Sequence, residues 1–127
     1  MTADILLVDD NCIQAATRKA ILTQAGNTVV VAASGEQALN MLEASDLPHA
    51  VGLVVTDHLM PGMNGPEFVK VLRERFPHLP VLVLSGLPEA EMAYESLEIV
   101  FRLKPLPPDQ LIHLVRSMLH EPMSRIA

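Results

Sequence analysis

The feature that most constrains the fold of this chain is a regular alternation of short apolar runs with segments of helical period. The apolar runs are mostly continuous rather than alternating, and they are rich in valine, leucine and isoleucine. Such runs are typical of strands that are covered on both faces in a parallel sheet. We predict strands at Ile5–Val8, Thr28–Val31, Val51–Thr56, Val81–Leu84 and Ile99–Leu103.

Helical patterns fill the segments between these strands. Residues 11–25 predict the first helix, and Ser34 with Gln37 resembles a capping box that opens the second. Pro66 begins a third helix, whereas the pattern is weakest at residues 89–97, where a fourth helix is expected. The last helix has the clearest apolar stripe, which consists of Leu111, Leu114, Val115 and Met118.

These βα units predict a single α/β domain in a chain of 127 residues. The expected architecture is a doubly wound, five-stranded parallel sheet with right-handed crossovers and the strand order 2-1-3-4-5. We assign the domain to residues 1–120 and interpret residues 121–127 as a frayed tail or the start of a linker.

The composition argues against several classes of protein. Fifteen acidic residues against nine basic ones give a net charge of −6, which argues against direct binding to nucleic acid. No apolar run is long enough to span a membrane, and residues 1–4 lack the pattern of a signal peptide. The single cysteine, Cys12, fits a reducing compartment, so we expect a cytoplasmic protein without membrane attachment.

Polar side chains cluster where the predicted strands end. Asp9 and Asp10 follow the first strand, Asp57 the third, Ser85 the fourth and Lys104 the fifth. Ligands of doubly wound sheets bind beyond this edge, where the strand order switches. Three carboxylates would crowd one site with Lys104 as the only nearby cation, and such a group repels itself unless another cation joins it. Oxygen ligands without histidine or cysteine favour a hard ion such as Mg²⁺.

Each of these residues also has an ordinary explanation. Asp10 or Asn11 could cap the first helix, and a lone Asp57 could be a solvated loop residue. The occurrence of all of them at one edge of one sheet favours the joint interpretation as a metal site. His58, in contrast, is interpreted as a variable loop residue. A solvated face is predicted for four residues of the third helix: Glu67, Arg73, Glu74 and Arg75.

Four segments in the correct order resemble the receiver domain of two-component response regulators, the family of the chemotaxis receiver. They are ILLVDDN at 5–11, VVTDHLMPGMNG at 54–65, LPVLVLSG at 79–86 and FRLKP at 101–105. The D-x-x-M-P-x-M-x-G pattern that begins at Asp57 is specific to this family. The resemblance covers Ile5 to Leu119 and implies the flavodoxin-like (βα)5 sandwich of CheY-like proteins.

The resemblance implies a role for each residue of the acidic site. Asp57 matches the phosphoacceptor, whose carboxylate takes a phosphoryl group to form an acyl phosphate. Asp10 matches a direct ligand of Mg²⁺ and Asp9 a partner that acts mainly through water. The backbone carbonyl of Leu59 would be a further ligand beside Asp57, and Mn²⁺ is expected to substitute for Mg²⁺.

The resemblance also implies residues for the phosphoryl group and for the switch. Lys104 and Ser85 would each hold a phosphoryl oxygen, and the Lys104–Pro105 peptide is expected to be cis. Phe101 matches the aromatic residue that swings inward when Ser85 moves onto the phosphate.

Two departures from the family pattern lead to specific expectations. Only nineteen positions separate Ser85 from Lys104, and the glycine–alanine turn that usually precedes the fifth strand is missing. The fourth helix should therefore be short or displaced. Whether this chain has the face through which members of the family dimerise or bind their output partners is left open. Leu59 and Leu87 flank the path of the hydrolytic water in the family, and because both are apolar we expect slow self-dephosphorylation.

The leading interpretation is a phosphorylatable signalling switch of a phosphorelay. Its donor would be a sensor histidine kinase or a histidine phosphotransfer domain, and a homodimer is a further option. It would catalyse only its own phosphotransfer and dephosphorylation, so we do not expect an enzyme in the usual sense.

Three alternatives remain open. One is a receiver-like interaction module that is never phosphorylated. Another is a Mg²⁺-dependent aspartyl-phosphate phosphatase, which would need its nucleophile in a D-x-D after the first strand. A flavodoxin-like cofactor carrier would need a phosphate-binding loop where Asp9 and Asp10 stand.

Overall fold

A five-stranded parallel sheet forms the centre of the domain. The computed structural model describes residues 4–44, 50–60 and 62–120. The strand order is β2-β1-β3-β4-β5, which confirms the predicted fold and order. Each predicted strand boundary lies within one residue of the observed one. The strands are β1 Asp4–Val8, β2 Thr28–Ala32, β3 Val51–Asp57, β4 Val81–Ser85 and β5 Val100–Leu103.

Helices cover both faces of this sheet. Among the described residues, four helices are α-helices, and a 3₁₀ helix takes the place of the predicted fourth helix. The expected tail at residues 121–127 lies outside the described residues. Within the described part of the chain, no helix has the length and apolar character needed to cross a bilayer. The helices are α1 Cys12–Gln24, α2 Gly35–Ala44, α3 Gly65–Arg75, the 3₁₀ helix Pro88–Tyr94 and α4 Pro108–His120.

Two apolar layers join the sheet to the helices, because successive residues of a strand point to opposite faces. Leu6 of β1 contributes to the layer that contains Phe68 of α3, whereas Ile5 contributes to the layer with Leu22 of α1 and Val115 of α4. All five side chains are fully buried, and burial of each stabilises the fold by about 1.5–3 kcal/mol. Both faces of the sheet are therefore occupied, which leaves the strand ends for polar side chains.

Side-chain caps determine where the helices begin. Asn11 caps α1, and its Oδ1 accepts the N–H of Ile13 at 3.0 Å. At α2, Ser34 Oγ accepts the N–H of Gln37 at 3.0 Å, and Gln37 Oε1 accepts the N–H of Ala33 at 2.6 Å. The predicted capping box is present, with the glutamine reaching one residue further back than the cap itself.

The connection between β4 and β5 is short, as predicted. Its 3₁₀ helix has seven residues, and the chain returns through two non-glycine residues with positive φ, Ser96 at 68° and Glu98 at 52°. A left-handed backbone costs residues other than glycine about 1–2 kcal/mol each. This turn therefore requires support from the rest of the fold.

Arg73 of α3 provides that support. Its guanidinium donates to four backbone carbonyls, at 2.6 Å to Leu97, 2.6 Å to Leu79, 2.8 Å to Glu98 and 3.4 Å to Phe76. Burial lowers the pKa of Arg73, and attraction to Glu98 opposes that shift. The prediction that Arg73 lies on a solvated face is wrong, because its guanidinium binds carbonyls of two connections: Leu97 and Glu98 before β5, and Phe76 and Leu79 before β4.

Candidate acidic site at the carboxyl edge of the sheet

β1 and β3 bring the three predicted aspartates to the same end of the sheet. The two strands are parallel neighbours with Val8 opposite Thr56, so Asp9 and Asp57 occupy adjacent positions. One carboxylate oxygen from each of Asp9, Asp10 and Asp57 lies within 4.8 Å of the others. Asp9 and Asp57 are buried, whereas Asp10 is exposed. The expected group of three carboxylates is thus assembled by the strand register.

A local turn holds Asp9 in place and leaves Asp10 at the rim. The N–H of Asn11 donates to Asp9 Oδ1 at 2.9 Å. Of the two residues considered as the cap of α1, Asn11 has that role. Helix capping therefore does not account for the adjacent pair of aspartates.

A cation that the sequence analysis did not predict lies within this group. Arg18 of α1 donates through Nη1 to Asp9 Oδ2 at 2.9 Å and to Asp57 Oδ1 at 3.3 Å. The Arg18 side chain is only 14% exposed. The expectation that Lys104 is the only nearby cation is therefore wrong.

Helical spacing contained a signal for Arg18. The buried residues of α1 are Ala15 and Leu22, and Arg18 stands three positions after one and four before the other. These three residues share one face of the helix. A charged side chain on a face that packs against the sheet needs a partner of opposite charge, and the aspartates at the sheet edge supply it.

Lys104 reaches the site from the loop after β5. Its backbone N–H donates to the Ser85 carbonyl at 2.8 Å, and its Nζ lies 3.1 Å from Asp57 Oδ1. The Lys104–Pro105 peptide is cis. Ser85 is buried, and its Oγ accepts the N–H of Leu87 at 3.0 Å. In this structure Lys104 pairs with Asp57 while the turn after β4 holds the Ser85 hydroxyl.

An aromatic chain links the loop after Asp57 to β5. Tyr94 Oη lies 2.7 Å from His58 Nδ1, and the Tyr94 ring packs against Phe101 with centroids 6.1 Å apart. Phe101 is buried. Burial lowers the pKa of His58. Burial also raises the pKa of Tyr94, and the negative charge of Asp57 raises it further. His58 is therefore more than a variable loop residue, because it connects the loop to the 3₁₀ helix.

Burial raises the pKa of Asp9 to about 6. The N–H of Asn11 opposes this shift, the neighbouring Asp57 carboxyl adds to it, and Arg18 opposes it. The ionised carboxylate of Asp9 is thus unfavourable in this position even with Arg18 beside it. Further positive charge would stabilise the group.

A known protein family has these features in the same order. Residues 5–116 match the family model described as the response regulator receiver domain. The chain belongs to this family. The adjacent aspartates, Asp57 and Lys104 all lie within the matched residues of the receiver domain.

Curated relatives of this receiver domain are longer proteins. Response regulator protein FleR of Pseudomonas aeruginosa is 36% identical over 100 residues, which are 76% of this chain and 20% of that protein. Sensor kinase CckA of Brucella abortus is 33% identical over 123 residues, which are 94% of this chain and 13% of that protein. The chain thus spans a fifth or less of the length of these two relatives.

Solved structures share the whole fold. A CheY-like receiver domain protein from Methanospirillum hungatei superposes with a TM-score of 0.86, at 22% identity and with full coverage of both chains. A response regulator receiver protein from Sinorhizobium medicae gives a TM-score of 0.81 at 31% identity, covering 94% of this chain and 96% of that one. The short β4–β5 connection is accommodated without a change of architecture.

Proposed function

We propose that this receiver domain is a phosphorylatable switch in which Asp57 accepts a phosphoryl group in a Mg²⁺-dependent reaction. The observation that carries the proposal is the position of Lys104 Nζ, 3.1 Å from Asp57 Oδ1, beside three carboxylates within 4.8 Å of one another. A nucleophilic carboxylate, a cation for the phosphoryl oxygens and a seat for a metal ion are the parts that such a transfer requires.

The donor set at this site fits Mg²⁺. It consists of carboxylates, and hard ions with oxygen ligands prefer such a set. We infer that Asp10 and Asp57 bind the ion directly, that Asp9 acts mainly through water, and that the Leu59 carbonyl is a further ligand. Mn²⁺ would substitute. When bound, the ion would offset negative charge that develops on the phosphoryl oxygens.

The residues of the chain would position the reacting groups. An oxygen of Asp57 forms a bond to phosphorus as the bond from phosphorus to the donor nitrogen breaks, and the departing imidazole takes up a proton. Lys104 would pair with one phosphoryl oxygen. Ser85 would donate to another, once its hydroxyl gives up the Leu87 carbonyl to which it donates at 3.4 Å.

The response to phosphorylation would pass through Ser85 and Phe101. Phe101 packs against Tyr94 of the 3₁₀ helix, so a shift of Ser85 that changes the space for Phe101 would also alter the surface of the β4–β5 connection. This altered surface would bind an output partner or a second copy of the chain. The domain would turn over no metabolite, and its catalysis would be limited to its own phosphotransfer and dephosphorylation.

We infer that the donor is the phosphohistidine of a sensor histidine kinase or of a histidine phosphotransfer domain. Regions similar to this chain occur in a protein named a sensor kinase and in one named a response regulator, which supports a place in a phosphotransfer chain. The single cysteine is consistent with a cytoplasmic location. The net charge of −6 favours protein partners over direct contact with nucleic acid.

Acetyl phosphate labelling followed by intact-mass measurement tests the proposal. Wild type should gain one phosphoryl group, about 80 Da, in Mg²⁺ and none in EDTA. Asp57→Asn should gain none, whereas Asp109→Asn, an exposed acid in the first turn of α4, should behave as wild type. A full adduct on Asp57→Asn, or one that forms without a divalent ion, would refute the proposal.

A second variant tests the role of the lysine. Lys104→Ala keeps all three carboxylates and should still bind Mg²⁺. Because the cation that pairs with Asp57 at 3.1 Å is lost, this variant should fail to respond to a phosphoryl analogue, as followed by amide NMR shifts of β5. Wild-type shifts in this variant would contradict the assignment of Lys104.

A further inference from the structure

Arg18 occupies carboxylates that a metal ion would need. Its Nη1 bridges Asp9 Oδ2 at 2.9 Å and Asp57 Oδ1 at 3.3 Å. The side chains of these aspartates are 0% and 5% exposed. Two cations that share one carboxylate repel each other strongly where little water screens them. Arg18 and a divalent ion therefore compete for the same group.

The net charge of the site indicates how strong this competition is. Three ionised aspartates together with Arg18 and Lys104 give the site a net charge of −1. A divalent ion changes this sum to +1, whereas the same ion would bring the site without Arg18 to zero. Arg18 therefore gives the site an excess positive charge only while a metal is bound and Asp57 is unphosphorylated.

The fold provides another acceptor for the Arg18 guanidinium. Gln14 stands one helical turn before Arg18 on α1, a spacing at which two side chains are neighbours. Gln14 Oε1 is buried and has no hydrogen-bond partner among the described residues, a situation that costs about 1–3 kcal/mol. Both residues line a groove of about 520 Å³ beside the loop that begins at Lys104. A guanidinium that leaves the carboxylates has both space and a partner there.

We propose that Arg18 is the resident counter-ion of the metal-free site and that metal binding displaces it toward Gln14. This inference rests on the proposed function, since it takes the three aspartates to be the metal seat. Arg18 therefore raises the Kd of the site for Mg²⁺ above the value that the three carboxylates alone would give. Because coupling between two ligands is reciprocal, bound metal weakens the hold of Arg18 on Asp9 and Asp57 by the same factor.

Magnesium affinity of the unphosphorylated protein tests the competition, by calorimetry or by amide NMR shifts. Arg18→Met should lower the Kd at least about tenfold, and Arg18→Gln, which keeps a polar side chain in case the methionine variant folds poorly, should shift it in the same direction. Lys19→Met removes the same charge at the next, exposed position and should change the Kd less than about twofold.

The possible results separate this inference from the proposed function. An unchanged Kd in both Arg18 variants would overturn the competition and leave the metal seat intact. No Mg²⁺ binding in any variant would overturn the metal seat and this inference together. If Arg18 had only a structural role, Arg18→Met would lower the melting temperature by the same amount in EDTA and in Mg²⁺. We expect instead that Mg²⁺ stabilises Arg18→Met more than it stabilises wild type.

A double-mutant cycle tests the second position of Arg18. Gln14→Met removes the acceptor and should weaken Mg²⁺ binding by about threefold in the wild-type background, with no effect in the Arg18→Met background. Equal effects in the two backgrounds would overturn the displacement toward Gln14.

Discussion

Replacement of Asp9 by asparagine should stabilise the metal-free protein at neutral pH. The pKa of Asp9 lies at about 6 because of burial, against an ordinary value of 3.8. Each pKa unit corresponds to about 1.4 kcal/mol, so ionised Asp9 lowers the free energy of unfolding by about 3 kcal/mol at pH 8. The attraction between Asp9 and Arg18 is already contained in this figure, because Arg18 is one of the groups that lower the pKa of Asp9 toward its value of about 6. We therefore expect Asp9→Asn to raise the free energy of unfolding by about 3 kcal/mol at pH 8.

The sign of the pH dependence follows from the direction of the shift. The folded state holds the Asp9 proton more tightly than the unfolded chain does, because the folded pKa is the higher of the two. This contribution to stability is complete below the ordinary pKa of 3.8 and is lost as the pH rises through about 6. In EDTA, Asp9→Asn should therefore nearly equal wild type near pH 4, exceed it by a margin that grows up to about pH 7, and keep that margin at pH 8.

Urea denaturation followed by far-UV circular dichroism measures this difference, since the chain has no tryptophan. Glu74→Gln, an exposed acid on α3, is the matched control and should stay within about 0.5 kcal/mol of wild type at each pH. A stability gap for Asp9→Asn that is the same at pH 4 and pH 8 would show that the charge of Asp9 is not what destabilises the site. A less stable Asp9→Asn variant at pH 8 would refute the reasoning outright.

Three further predictions concern the surroundings of the site. Leu59 and Leu87 are 67% and 40% exposed, and replacing both by glutamate should speed the loss of phosphate from Asp57. If the phosphorylated mass decayed at an unchanged rate, the two leucines would not be the cause of slow self-dephosphorylation. Tyr94→Phe removes the hydroxyl 2.7 Å from His58 Nδ1 and should lower the free energy of unfolding by about 1 kcal/mol; equal stability in urea would contradict that contribution. Ser96→Gly should raise the free energy of unfolding by about 1 kcal/mol, because the φ of Ser96 is 68°. Glu95→Gly is the control and should lower the free energy of unfolding, because the φ of Glu95 is −53°. If both variants changed the free energy of unfolding in the same direction, Ser96 would not be strained.

The strands and the carboxylate group were predictable because short-range pattern and parallel topology determine them. A continuous apolar run identifies a strand buried on both faces, and parallel strands bring their carboxyl ends to one edge. Once β1 and β3 are neighbours, Asp9 and Asp57 must lie close together. The same reasoning placed Lys104 beside Asp57, because β5 ends at that edge too.

Long side chains were the part that pattern did not predict. Arg18 reaches residues 9 and 39 positions away in sequence, and Arg73 reaches carbonyls up to 25 positions away. The hydrogen bond between Tyr94 and His58 spans 36 positions and depends on the exact path of the short β4–β5 connection. Periodicity places Arg18 on the packed face of α1, but it does not report which groups on the sheet or in the turns these long side chains reach.

The two partly buried arginines, Arg18 and Arg73, differ in whether a metal ion could replace their interactions. Arg73 donates to backbone carbonyls, which are neutral groups that a divalent ion at the acidic site does not reach, so its removal should destabilise the protein at every Mg²⁺ concentration. Arg18 donates to carboxylates, which a divalent ion can neutralise instead. The loss of stability on removing Arg18 should therefore shrink as the Mg²⁺ concentration rises. A metal ion can thus replace Arg18 at the carboxylates, whereas Arg73 is needed whether or not a metal is bound.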